Sequence, residues 1–161
     1  VGRVVIRVPR GEETAEFLVE AMGFVEVGRE GAARRLVLAG GGGVGASAAG
    51  EDLVLIEDAG VHEPMGAGTV HHVAWRVPDS AAQARAAERL ARAGVRATAV
   101  MDREYFRSIY FRVPGGVVFE IATDGPGFAV DEEASRLGDR LCLPRRYEGM
   151  RAELERSLVA L

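Results

Sequence analysis

A single cysteine, Cys142, stands in 161 residues, and no Cys-x-x-Cys pair is present. An internal disulfide is therefore excluded, and a reducing cytoplasm is the expected compartment. Long apolar runs are missing as well. None approaches the roughly 18 residues that suggest a membrane span, and the N-terminus lacks a signal peptide's layout. There is no block of one charge: the net charge is -4, the pI is near 5.5, and arginine is scattered among acids. That pattern gives no footprint for nucleic acid or an anionic membrane and leaves small neutral or acidic ligands as partners. The initiator methionine is absent too. The chain opens at Val1, directly before a strand-like run, as expected of a piece processed or excised from something longer. Its length suits one domain, or two small modules sharing a core that needs neither disulfide nor metal.

What is present is a repeat. Arg3-Val4-Val5-Ile6-Arg7-Val8-Pro9 aligns with His72-Val73-Ala74-Trp75-Arg76-Val77-Pro78, each an extended run stopped by proline. A helix-period segment follows in both copies. In the first, Thr14, Phe17, Leu18, Ala21 and Met22 fall on one face and Gly23 is the stop. In the second, Ser80-x-x-Gln83 forms an expected capping box, Ala82, Ala86, Leu90 and Ala93 line one face, and Gly94 ends it. Three strand-like runs then follow each helix, at 24–29, 33–38 and 53–57 and again at 96–101, 107–113 and 116–122. The predicted fold is α+β: two βαβββ repeats, about 1–60 and 68–124, forming one domain over 1–124 with a curved sheet. A helical tail over 125–161 follows, with a short helix near 131–137 and a longer one over 145–158. Turn residues sit at Glu30-Gly31 and Pro114-Gly115-Gly116. The glycine run from Gly40 contains a Gly-x-Gly-x-x-Gly match, but it leads into a strand, so it reads as a hairpin connection and not a phosphate loop.

Alternation divides the second repeat into two faces. Trp75, Ile109, Phe111, Phe119 and Ile121 form the face for the helix, while His72, Tyr110 and Glu120 mark the other. His71 falls with the apolar set. A stripe of this kind suggests a pocket floor. A glutamate between Phe119 and Ile121 is costly to bury without a cation or strong donors. Arg76 or Arg112 would make an ordinary ion pair; a divalent metal held by imidazole and carboxylate satisfies it equally well.

These residues resemble the vicinal oxygen chelate superfamily, which includes glyoxalase I, bleomycin-resistance proteins and extradiol dioxygenases. Gly66 to His72, the run from Asp102 to Arg112, Pro114-Gly115-Gly116 and the run from Phe119 to Phe128 are similar to the C-terminal half of the hydroquinone-type ring-cleaving dioxygenases. The resemblance implies a non-haem iron(II) ion, with manganese(II) as an alternative, held by two histidines and one glutamate and open to an aromatic diol and dioxygen. His72 and Glu120 take the ligand places. Tyr110 falls where the family uses a tyrosine for oxyanion donation or proton transfer. Arg103 falls where it uses an arginine for anionic species, and otherwise reads as a surface loop charge. His71 is a substrate-side neighbour or a partly exposed residue.

The third ligand is missing. The repeat alignment puts Arg3 at the place of His72 and an apolar residue near Ile56 at the place of Glu120, and His62 reads as a loop residue. In the hydroquinone enzymes the other histidine can come from the N-terminal half of a chain about twice as long. The chain is thus expected to be the C-terminal part of such an enzyme, to pair with a separate subunit or a second copy as a homodimer, or to be a non-catalytic, resistance-type or glyoxalase-like binding domain.

Overall fold

The computed structural model describes residues 3–38, 52–61, 66 and 69–158. The glycine-rich match from Gly40 and His62 lie outside them. Proline ends the first run where a ladder donor would be needed: β1 (Arg3–Val8) stops before Pro9 and β5 (Val73–Val77) before Pro78. The remaining strands are β2 (Phe24–Glu30), β3 (Ala33–Leu38), β4 (Asp52–Glu57), β6 (Met101–Asp102), β7 (Arg107–Arg112) and β8 (Val118–Thr123). They form two four-stranded sheets of the same order, β1-β4-β3-β2 and β5-β8-β7-β6. In each, the first strand runs parallel to the last and the others antiparallel, as two βαβββ units require.

Both helices are built on their apolar face. Helix α1 (Gly11–Phe17) continues as a π turn over Leu18–Met22 and stops at Gly23, whose φ of 82° lies in the left-handed region. Thr14, Phe17, Leu18, Ala21 and Met22 are all buried, as the spacing predicts. Helix α2 (Ser80–Arg92) corrects the expected capping box. The cap is Asp79, whose carboxylate accepts the N–H of Ala82 at 2.7 Å. Gln83 turns inward instead and donates to the carbonyls of Arg107 and Ile121 at 2.9 and 2.8 Å. A buried amide that closes two sheet carbonyls is better satisfied there than at an exposed helix end.

One core joins the two units. Phe24 meets Trp75 edge-on at 5.1 Å, Phe17 meets Phe111 at 6.3 Å, and Arg89 donates to the carbonyl of Ala21. The β7–β8 turn presses onto the first unit, where Arg10 donates to the carbonyl of Pro114.

Two further expectations are corrected. The strand expected at 96–101 shrinks to Met101–Asp102, because the Thr98 hydroxyl, in place of a backbone carbonyl, takes the N–H of Tyr110 and interrupts the ladder. The tail contains short 3-10 turns at Phe128–Val130, Ala134–Arg136 and Arg145–Met150, and only then α3 (Arg151–Ser157). Tyr147, Met150 and Leu158 stay exposed and do not join the core.

Candidate metal centre

Register sets the floor of the site. Glu120 on β8 lies between Ala74 of β5 and Tyr110 of β7 in the ladders, and His72 stands immediately before β5 on the same face. Their side chains converge. His72 Nε2 is 2.7 Å from Glu120 Oε2, and the His72 ring meets the Tyr110 ring at 5.5 Å and a right angle. Arg103 donates to the Tyr110 hydroxyl at 3.2 Å, with its guanidinium 5.4 Å from the ring centre.

His71 corrects its expected placement. The strand begins only at Val73, so alternation does not yet hold at 71, and the ring turns to put its Nδ1 2.8 Å from Nδ1 of His72. The direction of that bond depends on the tautomer, and with the His72 Nε2 contact to Glu120 it joins exposed His71, His72 and the carboxylate in one series. Both histidines also border a cleft of about 630 Å3 between the two units, walled by Val5, Val70 and Val118 with Arg112 at its edge.

Of the two readings for Glu120, neither candidate arginine is bonded to it among the described residues. Arg76 is bonded to Asp124 at 2.9 Å and Arg112 to the carbonyl of Gly116 at 2.8 Å. Glu120 is only 3% exposed, and its Oε1 is buried with no hydrogen-bond partner among the described residues. A buried carboxylate with one oxygen at an imidazole nitrogen and the other unpaired is a donor set suited to a divalent first-row ion. Among the described residues no group of three such donors forms.

The corresponding place in the first unit is different. Matching the β1–β4 and β5–β8 ladders sets Arg3 against His72, Arg35 against Tyr110 and Val54 against Glu120, which corrects the expected position near Ile56 by two residues. Arg3 and Arg35 both hold the largely buried Asp52, at 2.6 and 3.0 Å. Hydrogen bonding from Arg35, then from Arg3, keeps the Asp52 carboxyl below the ordinary carboxylate range against the opposing effect of burial. This triad had no signature in the repeat alignment, since its acid lies two places from the Glu120 position.

With two βαβββ units and this stripe in view, the comparison with known sequences is decisive: residues 1–121 match the profile of the Glyoxalase/Bleomycin resistance protein/Dioxygenase superfamily. The chain belongs to that superfamily. It is 39% identical over 162 residues to a Bacillus subtilis protein named ring-cleaving dioxygenase MhqA, covering 98% of this chain and 50% of the relative. It is 35% identical over 156 residues to the chlorohydroquinone/hydroquinone 1,2-dioxygenase of Sphingobium indicum, covering 92% and 46%. A crystal structure named as a Bacillus subtilis dioxygenase superposes with a TM-score of 0.87 at 38% identity, over 99% of this chain and 49% of that one. The chain thus spans about half the length of the curated relatives it matches. The superfamily's fold and its dioxygenase members account for the paired units and imply a divalent metal.

Proposed function

We propose that this chain is the C-terminal part of a ring-cleaving dioxygenase for hydroquinone- or catechol-like aromatics, with His72 and Glu120 as two of the ligands to a non-haem iron(II) ion. The observation that carries the reading is the buried Glu120 carboxylate, whose Oε2 lies 2.7 Å from His72 Nε2 while its Oε1 has no hydrogen-bond partner among the described residues. The third protein ligand comes from outside the described residues, from a companion N-terminal half or a second copy; manganese(II) suits the same donors. Residues 1–124 act as the unit that carries the chemistry, with 125–161 as its tail, in the cytoplasm.

When bound, the metal acts as a Lewis acid that lowers the pKa of a phenolic substrate and gathers the ring and dioxygen in one place. The remaining tasks fall to side chains. Tyr110 accepts from Arg103, so its own O–H is left to donate to an anionic ring oxygen. Arg103 adds a fixed positive charge behind that oxygen. His71 orients the His72 ring through the Nδ1 contact.

Iron content and oxygen uptake with hydroquinone, measured with and without the companion half, test this. Uptake in the complete protein that is lost in Tyr110→Phe and Arg103→Ala variants supports it. The absence of a three-donor group among the described residues favours a second reading, a resistance-type binding domain. Stoichiometric binding of the aromatic without oxygen uptake by the complete protein would establish that one instead.

A further inference from the structure

Glu104 directly follows Arg103 and is the one non-glycine residue with positive φ among the described residues, at 70°. A side chain with a Cβ adopts that conformation only where its surroundings over-determine it, and such residues gather at functional sites. Here the surroundings are the segment after the last strand. The Glu104 carboxylate accepts the N–H of Arg145, at 3.1 and 3.2 Å from its two oxygens, while its own N–H donates to Asp102 at 2.8 Å. The carbonyl of Tyr105 accepts the N–H of Gly127 at 2.8 Å. Its ring stacks on Phe128 at 5.0 Å, and its hydroxyl donates to Asp131 at 2.6 Å. That last bond pushes the Tyr105 phenol up to about 12. Phe106 also meets Phe128, at 6.4 Å, and its carbonyl accepts the N–H of Arg103.

Phe128 itself is 60% exposed, so burial in the core does not account for its place. Without these ties, the loop would be a hairpin turn anchored firmly on its β7 side, but on the Arg103 side only by β6, which has just two ladder pairs, Met101 with Ser108 and Asp102 with Arg107. The loop's inward product is the Arg103 guanidinium on the Tyr110 hydroxyl.

We propose that residues 127–145 form a brace that positions Arg103 against Tyr110, with Glu104, Tyr105 and Phe128 as the positioning residues. The use of Arg103 at the substrate rests on the function proposed above; the brace itself can be read without turnover.

The test follows the Nε–H resonance of Arg103 and the ring resonances of Tyr110 by NMR in the 161-residue chain at mildly acidic pH, assigned with Arg103→Lys and Tyr110→Phe. Three variants bear on it. Phe128→Ala removes the stack. Glu104→Gly keeps the left-handed backbone free of strain while deleting the carboxylate, and Phe128→Tyr restores the stack. In the first two, the Arg103 resonance shifts to that of a solvated arginine and the Tyr110 ring signals lose their dispersion, while the Trp75 indole stays put; Phe128→Tyr returns both to wild type. In the complete, active protein the first two lower kcat by about tenfold to a hundredfold with KM little changed. An unmoved Arg103 resonance in both variants would overturn the brace, and Glu104→Gly alone decides if Phe128→Ala does not fold. A resonance that moves while turnover does not would uphold the brace and refute the catalytic use of Arg103.

Discussion

Glu120 makes the sharpest conflict between stability and use in this chain. Its carboxylate is desolvated; among the described residues its Oε1 has no partner, and its Oε2 has a histidine that is itself 31% exposed at the side chain. Removing one partner of a buried pair is costly where it strands a buried charge, but the group left here is a partly exposed imidazole that water can solvate. Glu120→Leu is therefore expected to raise the unfolding free energy of the metal-free chain by about 1–2 kcal/mol while abolishing divalent-metal binding. Urea denaturation in chelator, set beside metal titration, measures both; a less stable variant would mean that Glu120 is a structural ion-pair partner. The face shared by His72, Tyr110 and Glu120 was legible in the sequence because strand side chains alternate with a period of two. His71 was not legible, since its ring is aimed by a residue still outside the strand. The aim of Arg103 depends on a left-handed Glu104 and on atoms beyond residue 125, which no local pattern contains.

At the scale of elements, the close approach of the two units is made by a turn that tolerates no side chain. A Cβ on Gly115 would lie 2.5 Å from Cβ of Val8 and 2.8 Å from Oγ1 of Thr14, so the β7–β8 turn would have to lift from β1 and α1. Gly115→Ala is expected to destabilise by about 1–3 kcal/mol, read as a lower urea midpoint at unchanged m-value. The Asp52 triad gives an element-scale pH dependence. Its carboxyl is held below the ordinary value, so its stabilisation is complete above the unfolded carboxylate pKa of about 3.9 and is lost as pH falls through the depressed folded value. Asp52→Asn should flatten acid unfolding in that window; an unchanged acid limb would remove Asp52 from the account. The brace carries the opposite sign. The Tyr105 phenol is raised to about 12, so its hydrogen bond to Asp131 is intact below about pH 10 and fails as pH rises toward 12. The buried faces of α1 and much of α2 were legible because an apolar face repeats every 3.6 positions, though Ala93 proves exposed and the tail helices shorter than expected; the Asp79 cap and the short β6 were decided by single side chains, Gln83 and Thr98, choosing tertiary partners.

At the scale of the whole molecule, the two units repeat one scaffold, but among the described residues only the second sets an imidazole against a buried carboxylate with a free oxygen. Where the second unit has His72 and Tyr110 around a carboxylate with one oxygen unpartnered among the described residues, the first has Arg3 and Arg35 closing on Asp52. Two guanidinium groups already compensate that acid, and a cation there would have to displace them against their own positive charge. The scaffold's near symmetry therefore does not extend to its chemistry, and the chain is expected to take one divalent ion, weakly by itself because two donors leave the coordination shell to water, and tightly once the companion half supplies a third. Manganese(II) binding followed by electron paramagnetic resonance distinguishes the two units. Glu120→Leu should abolish the bound signal, whereas Asp52→Asn should leave both stoichiometry and affinity as they were. Two ions per chain, or a loss of binding in Asp52→Asn, would show that the arginine-held acid of the first unit is a live site and that the asymmetry argued from Arg3 and Arg35 is wrong.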